Sequence, residues 1–278
     1  MSTRHHAAWI GLMLAAAWAR PAAATWSIVA VDSETREVGY AAASCTADVH
    51  QIGALVPGHG AVVAQAMTNQ AGRVRGASLL RSGATPQEIL AAVTGPDFDR
   101  SRWWSWGSGA HVRQYGVAAL EPLAAASFTG RRTTSWSGGS AGREVAVQGN
   151  ILWNEDVVAE ARAAFDAAGG CDLSDRLLLA LEAGARAGGD RRCVRELTAL
   201  TAAIEVAGPD ATAERPGLQL RMTRANSDLG VARSIWYLVR PFRGSTQENP
   251  VVQLRTAYDT WRGEHPPRRG ECSRPSGR

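Results

Sequence analysis

Three alanines, Ala22-Ala23-Ala24, stand immediately before Thr25, and that junction carries the sharpest chemical signal in the sequence. Ala22 and Ala24 form the small-x-small pattern that signal peptidase cuts, and a cut one residue earlier would put Pro21 at the −3 position. Cleavage before Thr25 releases a chain that begins with threonine. Such a residue brings its own base. The hydroxyl lies beside a free α-amine of ordinary pKa about 7.7–8.0, which is partly neutral near physiological pH and can take the hydroxyl proton directly or through one water. That is the chemistry of acyl transfer, with Thr25 as nucleophile. Lysine is absent and all 30 basic residues are arginine. This removes Schiff-base and lysine general-base chemistry, together with the phosphate-binding lysine of a Walker-type loop.

A nucleophile attacking an amide needs donors for the oxyanion that develops, each worth roughly 3–4 kcal/mol when well aimed. Asn150, in Gln148-Gly149-Asn150, is the first candidate, with a turn ahead of the helix at Asn154 as its competing role, and Asn69 the second, with helix capping ahead of Ala71 as its own. Ser44, ending the second strand, is a candidate to steady the terminal amine, with an ordinary buried hydroxyl bonded to backbone as the favoured competing role. Gln65, Gln148 and Gly149 are assigned to substrate contact, Gly149 because it lets backbone approach a ligand closely. Asp190, in Gly188-Gly189-Asp190-Arg191-Arg192, is expected in a loop ion pair with Arg191, and Asp32 in a turn. Trp103, Trp104 and Trp106, flanked by Arg100 and Arg102, are suited either to stacking on sugar rings or to covering an apolar surface.

Arg4, the apolar run Ala7–Trp18 and Pro21 complete the layout of a signal peptide over residues 1–24, and that run is too short to span a bilayer of about 30 Å. The expected product is secreted or periplasmic, with no membrane attachment after cleavage. In an oxidising compartment the even set Cys45, Cys171, Cys193 and Cys272 reads as two disulfides, expected as Cys171–Cys193 and Cys45–Cys272. No close cysteine pair suggests zinc, and His50, His59, His111 and His265 are scattered, so neither metal nor cofactor is expected. The net charge of +4 on 278 residues is spread among 26 acids. That is no footprint for nucleic acid.

The elements that must position these groups follow from periodicity and turn chemistry. Thr25–Val31 and Val38–Ser44 read as a hairpin around Asp32-Ser33-Glu34-Thr35, with Thr25, Ser27, Val29 and Val31 on one face. Ala61–Met67 reads as a buried strand, and helices are predicted from Ala71 to Ser82 and from a capping box at Thr85-Pro86-Gln87-Glu88. Further strands are predicted at Gln114–Ala119, Ala124–Phe128, Glu144–Val147, Leu197–Ala207, Leu218–Arg224 and Ile235–Val239. Helices are predicted from a cap at Asn154 to Ala168, over Asp172–Ala187, and from Asn249-Pro250 onward. Strands joined by short turns imply antiparallel sheets, and helices arriving in pairs imply helical layers outside them. One domain is expected from Thr25 to about Gly263, followed by a mobile Pro- and Arg-rich tail over residues 264–278.

The segments TWSIVAVDSETREVGYAAAS, VVAQAMTN, RQYGVAAL, AAASFTG, VQGNIL and AGGDRR, in that order, resemble the bacterial family called domain of unknown function 1028. The resemblance implies an α+β fold, a four-layer αββα sandwich of the N-terminal-nucleophile hydrolase type. Export here would expose Thr25 as loss of the initiator methionine does in other members. It implies an amidohydrolase acting on a small-molecule or peptide substrate; the sequence leaves the oligomeric state open, a homodimer included. A catalytically silent secreted binding or cell-surface protein on the same fold is the rival. One departure stands out: exported relatives carry a Gln-Ser pair where this chain has Leu200-Thr201.

Overall fold

The computed structural model describes residues 25–46, 48–100, 108–212, 215, 217–223, 248–269 and 272. The expected signal peptide (residues 1–24), the Trp103, Trp104 and Trp106 loop and the strand expected at Ile235–Val239 lie outside the described residues.

Strands β1 (Thr25–Val31) and β2 (Val38–Ser44) form the expected hairpin, Trp26 opposite Ala43 and Val31 opposite Val38. Asp32 fixes its turn by accepting the Glu34 and Thr35 N–H groups on Oδ1 at 2.9 and 3.0 Å, the Asx pattern that lets a short side chain organise backbone. A second hairpin joins β3 (Gly53–Val56) to β4 (Gly60–Ala66). Helices α1 (Gln70–Arg81) and α2 (Pro86–Thr94) follow. The capping box stands as expected: Thr85 Oγ1 accepts from Glu88 N, the Glu88 carboxylate accepts from Thr85 N, and Pro86 opens the first turn. Next come β5 (Arg113–Leu120), β6 (Leu123–Thr129), β7 (Trp136–Ala141) and β8 (Val145–Leu152). Helices α3 (Asp156–Ala167) and α4 (Leu173–Arg186), strands β9 (Thr201–Ala207) and β10 (Leu218–Thr223), and helix α5 (Pro250–Glu264) complete the described elements.

The strands form two antiparallel sheets, β10-β9-β2-β1-β8-β7 and β3-β4-β5-β6. Helices α1 and α2 pack on the four-stranded sheet; α3, α4 and α5 pack on the six-stranded one; the remaining faces of the two sheets meet. Every residue of β1 is buried. Trp26, Ile28 and Ala30 join a core with Val157, Phe165, Leu177 and Leu181 of the helices, whereas Val29 and Val31 join Tyr40, Val63 and Ala118 between the sheets. A strand covered on both faces is apolar at nearly every position, so Thr25 and Ser27 on the sheet–sheet face are polar exceptions that need partners.

Four expectations are corrected. Strand β8 runs past Val147, so Gln148, Gly149 and Asn150 lie within it. Asn154 does not cap α3; its Nδ2 donates to Asp156 Oδ2 at 3.0 Å, and Glu155 occupies the cap position without a side-chain bond. The strand expected from Leu197 begins only at Thr201, because Thr198 lies at φ 49° and turns its carbonyl to Asp190 N at 3.1 Å. The disulfides are Cys45–Cys193 and Cys171–Cys272, with Cα separations of 5.9 and 5.7 Å. The loop after α4 folds against the end of β2, where Leu200 N donates to Ser44 O at 2.8 Å, and this brings Cys193 beside Cys45. Asp172, next to Cys171, accepts the Arg268 and Arg269 N–H groups at 3.1 Å each and draws the C-terminal stretch toward it. Ion pairs also join Arg268 to Glu37 and Arg269 to Asp32 and Glu34.

Helix α4 approaches β1 closely because residue 184 is glycine: a Cβ there would lie 2.8 Å from Trp26 Nε1. Trp26 is fully buried and donates Nε1–H to Leu181 O at 3.3 Å. Alanine in place of glycine inside a helix ordinarily gains up to about 1 kcal/mol. Here Gly184→Ala is expected to lose about 1–3 kcal/mol through overpacking, read as a lower urea midpoint at unchanged m-value; a stabilised variant would contradict this packing.

Candidate active site

Strand pairing alone brings the expected residues together. Thr25 pairs with Asn150 on β8, and Ser27 pairs with Gln148. On the other side of β1, Ala43 faces Trp26, so Ser44 stands next to Thr25, and Ser44 in turn pairs with Thr201 of β9. One row across four adjacent strands therefore reads Thr201, Ser44, Thr25, Asn150, all buried. Its members share a face because opposed residues in a ladder project to the same side. Thr25 Oγ1 donates to Ser44 Oγ at 3.3 Å. Ser44 Oγ lies 2.9 Å from Thr46 Oγ1, and Thr201 Oγ1 donates to the carbonyls of Ser44 and Thr46 at 3.4 and 3.2 Å.

The facing sheet supplies amides. Gln65 of β4 pairs with Gln114 of β5. Gln65 Nε2 donates to Thr25 O at 3.2 Å and to Gln114 Oε1 at 2.7 Å, while Gln65 Oε1 accepts from Ser27 Oγ at 2.6 Å. Gln148 Nε2 donates to Ser27 O and Oγ at 3.1 and 2.7 Å. Asn150 Nδ2 donates to Gln114 Oε1 at 3.0 Å, and Gln114 Nε2 donates to Gly149 O and Thr129 Oγ1, each at 2.8 Å. A buried primary amide is costly unless bonded, and these four share one network around the first residues of β1. It clamps the carbonyl of Thr25 and leaves the Asn150 amide a second N–H to give.

Two backbone positions bordering this network are strained. Ala66, directly after Gln65, has φ 67°, and Ile151, directly after Asn150, has φ 52°. A β-branched residue at positive φ costs on the order of 1–3 kcal/mol, and such strain concentrates at functional sites. A third, Thr198, borders the Asp190 loop. Gly188 and Gly189, at φ 121° and 60°, turn the chain out of α4, where L side chains would be strained, and deliver Asp190 into the interior with 0% exposure. Its partner is Arg192 and not the expected Arg191: Arg192 Nη2 and Nε donate to the carboxylate at 2.7 and 3.2 Å, and Arg192 N at 2.9 Å. Arg191 is exposed, with its N–H on Ile151 O.

The other expected residues fall as follows. Asn69 is committed to capping α1, its Oδ1 accepting from Gly72 N at 3.1 Å. Gly149 lies inside β8, where a Cβ would meet Leu152 Cδ1 at 2.3 Å, so its smallness admits a neighbouring side chain. Sequence reasoning overlooked Ser27, Gln114 and Arg192. The signal for Gln114 was an amide opening an otherwise apolar strand, as Gln65 nearly closes its own. Tyr115, next along β5, is no base at working pH: burial first, then the Asp99 charge, pushes its phenol up to about 12.

The model of a family of unknown function, DUF1028, matches residues 25–230. The chain belongs to DUF1028. The match begins at Thr25 and includes every residue of the polar row. Protein SPO2555 from Silicibacter pomeroyi, a DUF1028 protein of known crystal structure, is 24% identical, with a TM-score of 0.63 over 86% of this chain and 89% of its own. At that identity the likeness speaks for the fold alone. No curated protein matches the chain.

Proposed function

We propose that this DUF1028 protein is an exported amidohydrolase of the N-terminal-nucleophile kind, its layers running α1/α2, four-stranded sheet, six-stranded sheet, α3/α4/α5. The observation that carries this reading is the placement of Thr25 between Ser44 and Asn150, at the start of a central strand, inside a buried polar network. Once the chain starts at Thr25, its α-amine lies on the same residue as the attacking hydroxyl. Oγ1 adds to the amide carbonyl of a small-molecule or peptide substrate as the amine takes its proton, and Asn150 donates to the oxyanion. The ammonium then returns the proton to the departing amine. Water, deprotonated by the same amine, cleaves the acyl ester and restores Thr25. These steps use only groups of the chain and water. The two disulfides fit an oxidising compartment.

A β-lactone probe tests the nucleophile without knowledge of the substrate. Incubated with folded protein beginning at Thr25, it is expected to add one probe mass to the N-terminal peptide at Oγ1. The Thr25→Ala variant should gain none. Labelling elsewhere but not at Thr25 would contradict the assignment.

A further inference from the structure

Arg192 has a place in this site that its motif does not announce. Its Nη2 holds Asp190 Oδ2 at 2.7 Å and also lies 3.5 Å from Ser44 Oγ, the atom that accepts from Thr25. Asp190 Oδ2 accepts the Cys45 N–H at 2.6 Å as well, so carboxylate and guanidinium both lie against the Ser44–Cys45 backbone. The Cys45–Cys193 disulfide joins the residues that directly follow Ser44 and Arg192. A guanidinium only donates and does not lose its proton, so Ser44 meets it through a lone pair. Thr46 Oγ1 spends its own proton on Asp48 O at 3.1 Å and is left to accept from Ser44. Ser44 therefore offers Thr25 an acceptor and not a proton.

Resting on the reading of Thr25 as nucleophile, we propose that Arg192 is a positioning residue: through Ser44 it orients Thr25, and by balancing Asp190 it keeps the Thr25 α-amine a base near neutral pH. Among the described residues, the charged groups near the position stand on three elements. Asp190, Arg192 and the exposed Arg191 stand on the loop after α4, Asp48 follows β2, and the Arg113–Asp99 ion pair lies at the start of β5. The row and its amide partners on β1, β4, β8 and β9 are neutral: Ser27, Gln65, Gln148, Asn150 and Thr201. With Arg192 in place the Asp190 charge is compensated. Without it, one buried negative charge remains behind Ser44 and draws a proton onto the amine.

Because the sequence lacks lysine, a chain beginning at Thr25 has a single primary amine. Its pKa can be read from the pH dependence of its acetylation rate by acetic anhydride, followed by mass on the N-terminal peptide. Arg192→Gln is expected to raise that pKa by about one unit relative to wild type. Arg192→Lys should restore it, and Asp190→Asn should lower it. A merely structural role would not reverse sign between the two partners. An unchanged pKa in Arg192→Gln, or an equal rise in Arg192→Lys, overturns the proposal. Should Arg192→Gln not fold, Asp190→Asn decides, an unmoved pKa there overturning it. The measurement needs no turnover, so failure of the nucleophile assignment, seen as β-lactone labelling that survives Thr25→Ala, stays distinct from failure of this one.

Discussion

Thr25→Ala is expected to abolish turnover of any amide that the wild-type protein hydrolyses, while folding and ligand binding persist. The substitution removes Oγ1 and its 3.3 Å bond to Ser44 but leaves the backbone carbonyl that Gln65 holds at 3.2 Å and the pairing with Asn150. Nothing in the row has to collapse. Thr25→Ser keeps both hydroxyl and amine and should retain measurable turnover. Wild-type activity should rise with pH through one ionisation, because only the neutral amine is a base, and level off above its pKa. Asn150→Ala should lower kcat on the order of a hundredfold with a smaller effect on KM, as expected for a donor whose bond strengthens only when the oxyanion forms. The measurement is a screen of amide, peptide and cell-wall substrates on matched preparations. Equal activity of wild type and Thr25→Ala would end the enzyme reading.

The second large effect concerns stability. Asp190→Ala should cost about 3–5 kcal/mol, the range for breaking a buried ion pair from one side. The carboxylate is fully buried and takes the N–H groups of Cys45 and Arg192 as well as the Arg192 guanidinium. Its removal strands two backbone donors and one cation where β2 meets the loop after α4. Urea unfolding with both disulfides intact reads the loss. A change under about 1 kcal/mol would mean that water replaces these bonds and that Asp190 is not the hub of the loop.

Where a few adjacent residues decide the geometry, the chain was legible before folding. The first hairpin followed from Asp32-Ser33-Glu34-Thr35 between two apolar strands, and α2 followed from its capping box. Segments decided by distant partners were not legible. Strand β7, Trp-Ser-Gly-Gly-Ser-Ala, lies at a sheet edge and is only half buried, so it carries no alternation to read. Leu197–Leu200 has strand composition, yet Thr198 is turned aside to serve Asp190. The disulfide pairing turned on where the loop after α4 docks, which spacing does not encode. Among the candidate residues, Thr25, Ser44 and Asn150 were named from cleavage chemistry and short motifs, and strand pairing sets them in one row. Gln114 was not, since it becomes a partner only when the second sheet closes over the first.

The two disulfides interleave along the sequence, Cys171 lying inside the span closed by Cys45 and Cys193, and Cys193 inside the span closed by Cys171 and Cys272. Together they bridge every peptide bond from Cys45 to Cys272. A protease that nicks the chain once anywhere in that interval cannot release a fragment, whichever surface loop it finds. With both bonds closed, a chain cut once there keeps Thr25, Asn150 and Asp190 on one covalent body. Reduction would convert the same nick into loss of a piece.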